Sequence, residues 1–345
     1  GPPGGALPSW IPEPVHHAAQ VVFMVVDGLG WEQLQAHRDL APTLAGMIGG
    51  PITTVAPSTT ATALTSITTG LTPGEHGLIG YRIDLGGDVV NVLRWGTAAG
   101  DVRRSHEPKR VQPFEPFMGR TVPVVSKIEL EHSGFSEAHL RGSRPMGWRT
   151  PSNLPVIIGQ LLRSGEPVVY AYYDGVDKVA HERGFGPFYD AELRSVDRLV
   201  ADVISELPPG AALLITADHG QVQVGKNTLR PSPDVLRLTK GSSGEGRFRW
   251  LHSRPGAIDE LAAAAIAAHG DIAWVLTRTE MIDNGWFGPV VSPPVAARLG
   301  DVALVARAAI SFDDPADSGP FELVCRHGSL TSAEMLVPLL ATAAD

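Results

Sequence analysis

Three apolar runs of this chain end in an acid: Val21 to Val26 before Asp27-Gly28, Val168 to Tyr173 before Asp174-Gly175, and Ala211 to Ala217 before Asp218-His219-Gly220. Carboxylates gathered at neighbouring strand ends repel one another unless a cation neutralises them, so the pattern points to metal chemistry. An aspartate can also simply open a turn or cap a helix, but that reading weakens when histidines stand beside two of the three. Asp177 and His181 are four residues apart, which on a helix puts both on one face, able to hold one ion. Asp218 and His219 are adjacent, and Arg326-His327-Gly328 supplies a second His–Gly pair. The segment 57–70 carries Ser58, Thr59, Thr60 and further threonines. Hydroxyls there are ordinary helix caps or, at a helix N-terminus, nucleophiles whose alkoxide and incoming phosphate the backbone N–H groups stabilise.

The elements that must position these groups follow from the same runs. Continuous apolar stretches of this length are strands buried on both faces, as in parallel sheets. Ligands of such sheets bind beyond the carboxyl ends of the strands. Helices are expected near 31–40, after Pro42, over 152–162 and over 190–207, the last from Leu193, Val196, Leu199, Val200, Val203 and Ile204 on one face. Residues 81–125 read as strands and loops. Gly241-Ser242-Ser243-Gly244 reads as a flexible loop, followed by strands near 247–252, 273–276 and 302–306 and a helix over 258–268. The fold class is α/β, a mostly parallel central sheet flanked by helices. Its expected organisation is a flexible leader at 1–20, a catalytic core over 21–224 and 321–345, and a small inserted α+β lobe at 225–320.

Composition bounds the partners. The 345 residues are 43% hydrophobic and 19% charged, with a formal net charge of −9. A sizeable core is affordable, and no basic run favours a nucleic-acid polymer or an anionic membrane. No apolar stretch approaches the length of a membrane span. One cysteine, Cys325, excludes an intrachain disulfide and a thiolate metal cage. Cysteine poverty points to the cytoplasm, with a secreted or periplasmic location left open by the Gly/Pro-rich opening segment. The sequence carries no signal for oligomeric state.

With these motifs assembled, the chain resembles the alkaline phosphatase superfamily and, within it, the nucleotide pyrophosphatase/phosphodiesterase branch. The resemblance spans about 21–340 and rests on Asp27-Gly28, the threonine-rich segment running to Pro73-Gly74-Glu75-His76-Gly77, Asp177 to His181, Asp218-His219-Gly220 and His327-Gly328. It implies two metal sites, with Asp27, Asp218 and His219 holding one divalent ion and Asp177, His181 and His327 the other. Zn²⁺ suits that donor set best and Mn²⁺ also accepts it. It places the nucleophile, and a further metal contact, at Thr60, with Thr59 and Ser58 as alternatives, and leaves Asp174 outside the ligand set. The reaction implied is hydrolysis of a small phosphate ester through a phosphothreonine-type intermediate. Where the branch has an asparagine on the phosphate, this chain has Tyr81-Arg82. Tyr81 could donate one hydrogen bond there. Arg82 could supply a bidentate cation, which would favour a monoester, or be a solvated strand charge. A phosphomonoesterase or a phosphonate-cleaving hydrolase on the same scaffold is the alternative, and a non-catalytic binding relative the alternative from another class.

Overall fold

In the computed structural model, residues 7–314 and 323–344 are described. Seven strands form the central sheet in the order Ile48–Thr53, Leu336–Ala343, Ala211–Thr216, Gln20–Val26, Val168–Tyr173, Pro123–Val125, Arg144–Pro145. The last five run parallel to one another. Leu336–Ala343 and Ile48–Thr53 add antiparallel at one edge. The three aspartate-ended runs are the three adjacent central strands, so their acids emerge side by side.

Burial on both faces explains the unbroken apolar runs. Val22, Met24 and Val26 pack with Ile158, Leu161, Leu193 and Val200 of the helices Asn153–Arg163 and Pro187–Ser205. Val25 faces the other way, toward Ala61 and Leu64 of the helix Thr60–Thr69. The helix expected near 31–40 is shorter, Trp31–Ala36 followed by a 3-10 turn Arg38–Leu40. Residues 1–6 of the expected leader lie outside the described residues. Within its remainder, Val15 of a 3-10 turn is buried against Ala212, Leu214, Leu339 and Ala341.

Within 225–320, the strands Thr239–Gly244, Phe248–Ser253, Val302–Ala306 and Ala273–Thr277 form an antiparallel sheet in that order. The helix Ile258–His269 covers one face through Leu261 and Ala265, which pack on Leu251, Val302 and Leu304. The other face, through Phe248, Trp250, Ala303 and Val305, joins the same core as Ile79, Ile83 and Trp95. Residues 315–320 of the expected lobe and 321–322 of the expected core lie outside the described residues. The stretch 241–244, expected to be a flexible loop, is instead strand: Gly241 to Gly244 pair with His252 to Arg249. Gly244 makes the turn at φ +79, where a Cβ would lie 2.3 Å from the Phe248 carbonyl. A second meander, Arg82–Asp84, Val89–Asn91, Gly96–Thr97 and Gly100–Asp101, stands beside it. Among the described residues no helix is long and apolar enough to cross a membrane.

Candidate active site

The strand ends and the turns that follow them converge. Asp27 leaves its strand into Gly28, which at φ +72 passes so close to the helix Gly175–Arg183 that a Cβ would lie 2.9 Å from the Asp177 backbone. That contact sets Asp27 beside Asp177. The short strand Cys325–Arg326 pairs with Val222–Gln223, just after Asp218-His219, and so delivers His327 to the same point. The imidazoles of His219 and His327 stack with centroids 3.5 Å apart, and His181 and His327 lie 5.1 Å apart.

All three histidines are oriented alike. Nδ1 of His181 meets the Cys325 carbonyl at 2.7 Å, Nδ1 of His219 the Gly220 carbonyl at 3.0 Å, and Nδ1 of His327 the Ser58 carbonyl at 2.9 Å. A carbonyl only accepts, so each Nδ1 carries a proton and each ring turns its Nε2 inward. His219 Nε2 lies 3.4 Å from Asp27 Oδ1 and 3.4 Å from Asp218 Oδ2. His181 Nε2 lies 3.2 Å from Asp177 Oδ1, and His327 Nε2 3.9 Å from the same atom.

The electrostatics leave this cluster short of positive charge. Burial, followed by the Asp218 and Asp177 carboxylates, pushes the Asp27 carboxyl well above its ordinary range, and burial raises Asp218 as well. Burial and the neighbouring rings of His219 and His181 hold His327 well below the usual imidazole value. Asp27 Oδ1 and Asp218 Oδ2 are buried without a hydrogen-bond partner among the described residues. A divalent cation relieves all of these strains together. Two groups have donor atoms within 4.8 Å of one another and could hold an ion: Asp177, His181 and His327, and Asp27, Asp177 and His219. Asp177 thus belongs to both, a sharing the sequence does not reveal, while Asp218 approaches through His219.

Thr60 opens its helix, with Thr59 at the N-cap. Its Oγ1 lies 3.2 Å from His219 Nε2, at a helix end whose free N–H groups favour an anion. Ser58 is occupied elsewhere: its buried hydroxyl donates to the Ser329 carbonyl at 2.6 Å and accepts from the Gly328 amide at 3.2 Å. Thr59 and Thr60 both line a cleft of about 1160 Å³, which Asp177, His181 and His327 also reach. Asp174 is turned away to Lys127 and Lys178, each at 2.5 Å. Burial alone would raise its pKa, but the bonds from these two lysines lower it on balance.

Tyr81 and Arg82 also line the cleft. Tyr81 accepts at its hydroxyl oxygen from Asn91 Nδ2 at 2.6 Å. Arg82 is not a solvated strand charge: it is buried, and its Nη1 pairs with Asp314 Oδ2 at 2.8 Å. His76 is a packing residue, bonded to the Ser66 hydroxyl at 2.9 Å and the Leu78 amide at 3.1 Å, and burial pushes its pKa down to about 3. Two contacts to the acids were not foreseen. Gln221 Nε2 donates to Asp177 Oδ1 at 2.9 Å, and the Tyr172 hydroxyl donates to Asp27 Oδ2. The alternation of Tyr170 and Tyr172 in a strand was the available signal for the second, masked because tyrosines in an apolar run read as core.

Aspartates and histidines gathered beyond the carboxyl ends of parallel strands, facing a hydroxyl at a helix N-terminus, go with the alkaline-phosphatase-like fold. The chain belongs to the type I phosphodiesterase / nucleotide pyrophosphatase family, whose profile matches residues 21–140 and 159–329, and it is therefore a member of a metal-dependent group of phosphoester hydrolases. Murine ectonucleotide pyrophosphatase/phosphodiesterase 5, solved as an inactive threonine-to-alanine variant with AMP, has the same fold at 14% identity and TM-score 0.69, over 93% of this chain and 87% of that one. The human protein of that name matches at 16% identity with the same TM-score of 0.69, over 93% and 87%. Phosphonoacetate hydrolase from Sinorhizobium meliloti 1021, in complex with phosphonoacetate, matches at 17% identity and TM-score 0.65, over 94% and 90%. No curated protein sequence matches the chain significantly.

Proposed function

We propose that this protein is a two-metal phosphodiesterase acting on a small phosphate ester, with Thr60 as its nucleophile. The observation that carries the reading is the common orientation of His181, His219 and His327, each with Nδ1 on a carbonyl and Nε2 turned toward an acid. Asp27, Asp218 and His219 would hold one cation and Asp177, His181 and His327 the other, Asp177 lying close enough to serve both. The donor set of nitrogens and carboxylates suits Zn²⁺, with Mn²⁺ a second choice. Bound there, such cations supply Lewis acidity to phosphoryl oxygens and lower the pKa of a nearby hydroxyl. The residues of the chain do the rest. Thr60 releases its hydroxyl proton to solvent and attacks phosphorus in line as the ester oxygen departs, and the departing oxygen takes a proton from solvent. Water then cleaves the phosphothreonine and restores the threonine hydroxyl. The N-terminal amides of the helix Thr60–Thr69 steady the phosphoryl charge. An inactive threonine-to-alanine variant among the structural relatives supports this assignment.

Two contacts favour a diester over a monoester. Tyr81 accepts from Asn91, which leaves its own proton to donate into the cleft. Arg82 is tied to Asp314, which also pairs with Arg249 at 3.2 Å, so a substrate meets a guanidinium already held to an acid and not a mobile cation free to clamp a dianion. The fold of phosphonoacetate hydrolase favours the second reading, a phosphonate-cleaving enzyme. The lobe within 225–320, which contributes Ser242, Glu245 and Phe312 to the cleft wall, is the part that would select the leaving group.

The test is hydrolysis of bis(p-nitrophenyl) phosphate and of p-nitrophenyl phosphate by protein stripped of metal and reloaded with Zn²⁺ or Mn²⁺. Metal-dependent turnover with faster diester cleavage is expected, and Tyr81→Phe should lower it by about tenfold, the worth of one hydrogen bond to a charged group. Faster monoester cleavage would move the phosphomonoesterase reading to first place.

A further inference from the structure

Asp27 and Asp218 are held in the same way: each commits one carboxylate oxygen to donors of the protein and leaves the other bare. Asp218 Oδ1 accepts from the Gly28 amide and from the His219 amide, both at 3.1 Å. Asp27 Oδ2 accepts from the Tyr172 hydroxyl. The remaining oxygens, Asp27 Oδ1 and Asp218 Oδ2, are buried, have no hydrogen-bond partner among the described residues, and each lie 3.4 Å from His219 Nε2. For Asp218 the clamp is backbone. For Asp27 it is one side chain.

Strand register explains how Tyr172 reaches. It pairs with Val25 across the parallel ladder, two residues before Asp27, and shares a face of its strand with Tyr170. Tyr173 points to the opposite face, where its hydroxyl donates to Glu192 at 2.7 Å. A carboxylate without a fixed partner can rotate and offer both oxygens to one cation. With Oδ2 taken by a phenol, Asp27 offers only Oδ1.

We propose that Tyr172 is a positioning residue that makes Asp27 a one-oxygen metal ligand, fixing which carboxylate oxygen joins His219. The proposal rests on the reading of Asp27 as a ligand, and the experiment separates the two. Metal-stripped protein is titrated with Zn²⁺ against a chromophoric chelator, and with Co²⁺ while its visible absorption is followed, for the wild type, Tyr172→Phe and Tyr173→Phe. The wild type binds metal. Tyr172→Phe weakens binding at one site by about 10- to 100-fold and changes the Co²⁺ spectrum, while Tyr173→Phe matches the wild type in both. Raising Zn²⁺ recovers much of the turnover of Tyr172→Phe, which a damaged fold would not allow. Should the phenylalanine variant fail to fold, a difluorotyrosine at position 172 keeps the shape and strengthens the donor, and a shifted Co²⁺ spectrum is expected. Isotherms and spectra that superimpose on the wild type overturn the role of Tyr172 and leave the metal reading standing. A wild type that binds no metal overturns both.

Discussion

Thr60→Ala lowers diester turnover by roughly three to six orders of magnitude while metal content stays at the wild-type level. The expected size follows from what remains without the oxygen: a charged cleft and a helix N-terminus, but no atom to carry the phosphoryl group. Alternatives nearby are poor. The Ser58 hydroxyl is buried and engaged on both sides by Ser329 and Gly328. Thr59 lines the cleft, but among the described residues its hydroxyl makes no hydrogen bond to a histidine such as the one between Thr60 and His219. Alanine is the best helix former, so the start of the helix is preserved. Rates and metal content measured on the same preparation check the claim, and a variant that keeps its rate would move the nucleophile to Thr59.

The second large effect is on stability. Arg247, just before the strand Phe248–Ser253, is fully buried and grips Glu334 with two bonds, Nε to Oε1 at 2.7 Å and Nη2 to Oε2 at 2.8 Å. Its Nη1 donates to the Ala308 and Ile310 carbonyls. Glu334 also accepts from the Ser329 amide at 2.9 Å and from the Thr331 hydroxyl at 2.5 Å. Ser329 is tied in turn to Ser58, two residues from Thr60. Removing the guanidinium leaves a carboxylate buried without its counter-charge, which costs about 3–5 kcal/mol. Arg247→Met should lower the unfolding free energy by that amount in urea titrations. Adding Glu334→Gln, which removes the stranded charge but keeps an acceptor, should restore a good part of it. An Arg247→Met protein of wild-type stability would mean that the pair is neutral to the fold.

What could be read from the sequence, and what could not, divides along a physical line. The strands before Asp27, Asp174 and Asp218 were legible because burial on both faces demands unbroken apolar runs. The helix Pro187–Ser205 was legible because one face is buried. Local spacing also placed Asp177 and His181 together. The strand Thr239–Gly244 was illegible: Gly and Ser carry no apolar alternation, and pairing with Phe248–Ser253 alone fixes it. The partner of Arg82 was illegible as well, since Asp314 lies 232 positions away. The same holds for Ser58, an alternative nucleophile by composition but a clamp on Ser329 and Gly328 in the fold. The sharing of Asp177 between two donor groups depends on the close pass at Gly28, which no spacing encodes.

Thr60 must become covalently bonded to the phosphorus of the substrate during turnover. The most direct measurement is an acid quench of metal-loaded protein in the act of hydrolysing bis(p-nitrophenyl) phosphate, followed by digestion and mass mapping of the peptides. A p-nitrophenylphosphoryl adduct on Thr60, absent from Thr60→Ala, is the predicted result. Sustained turnover with no adduct on Thr60, and undiminished turnover in Thr60→Ala, would contradict it.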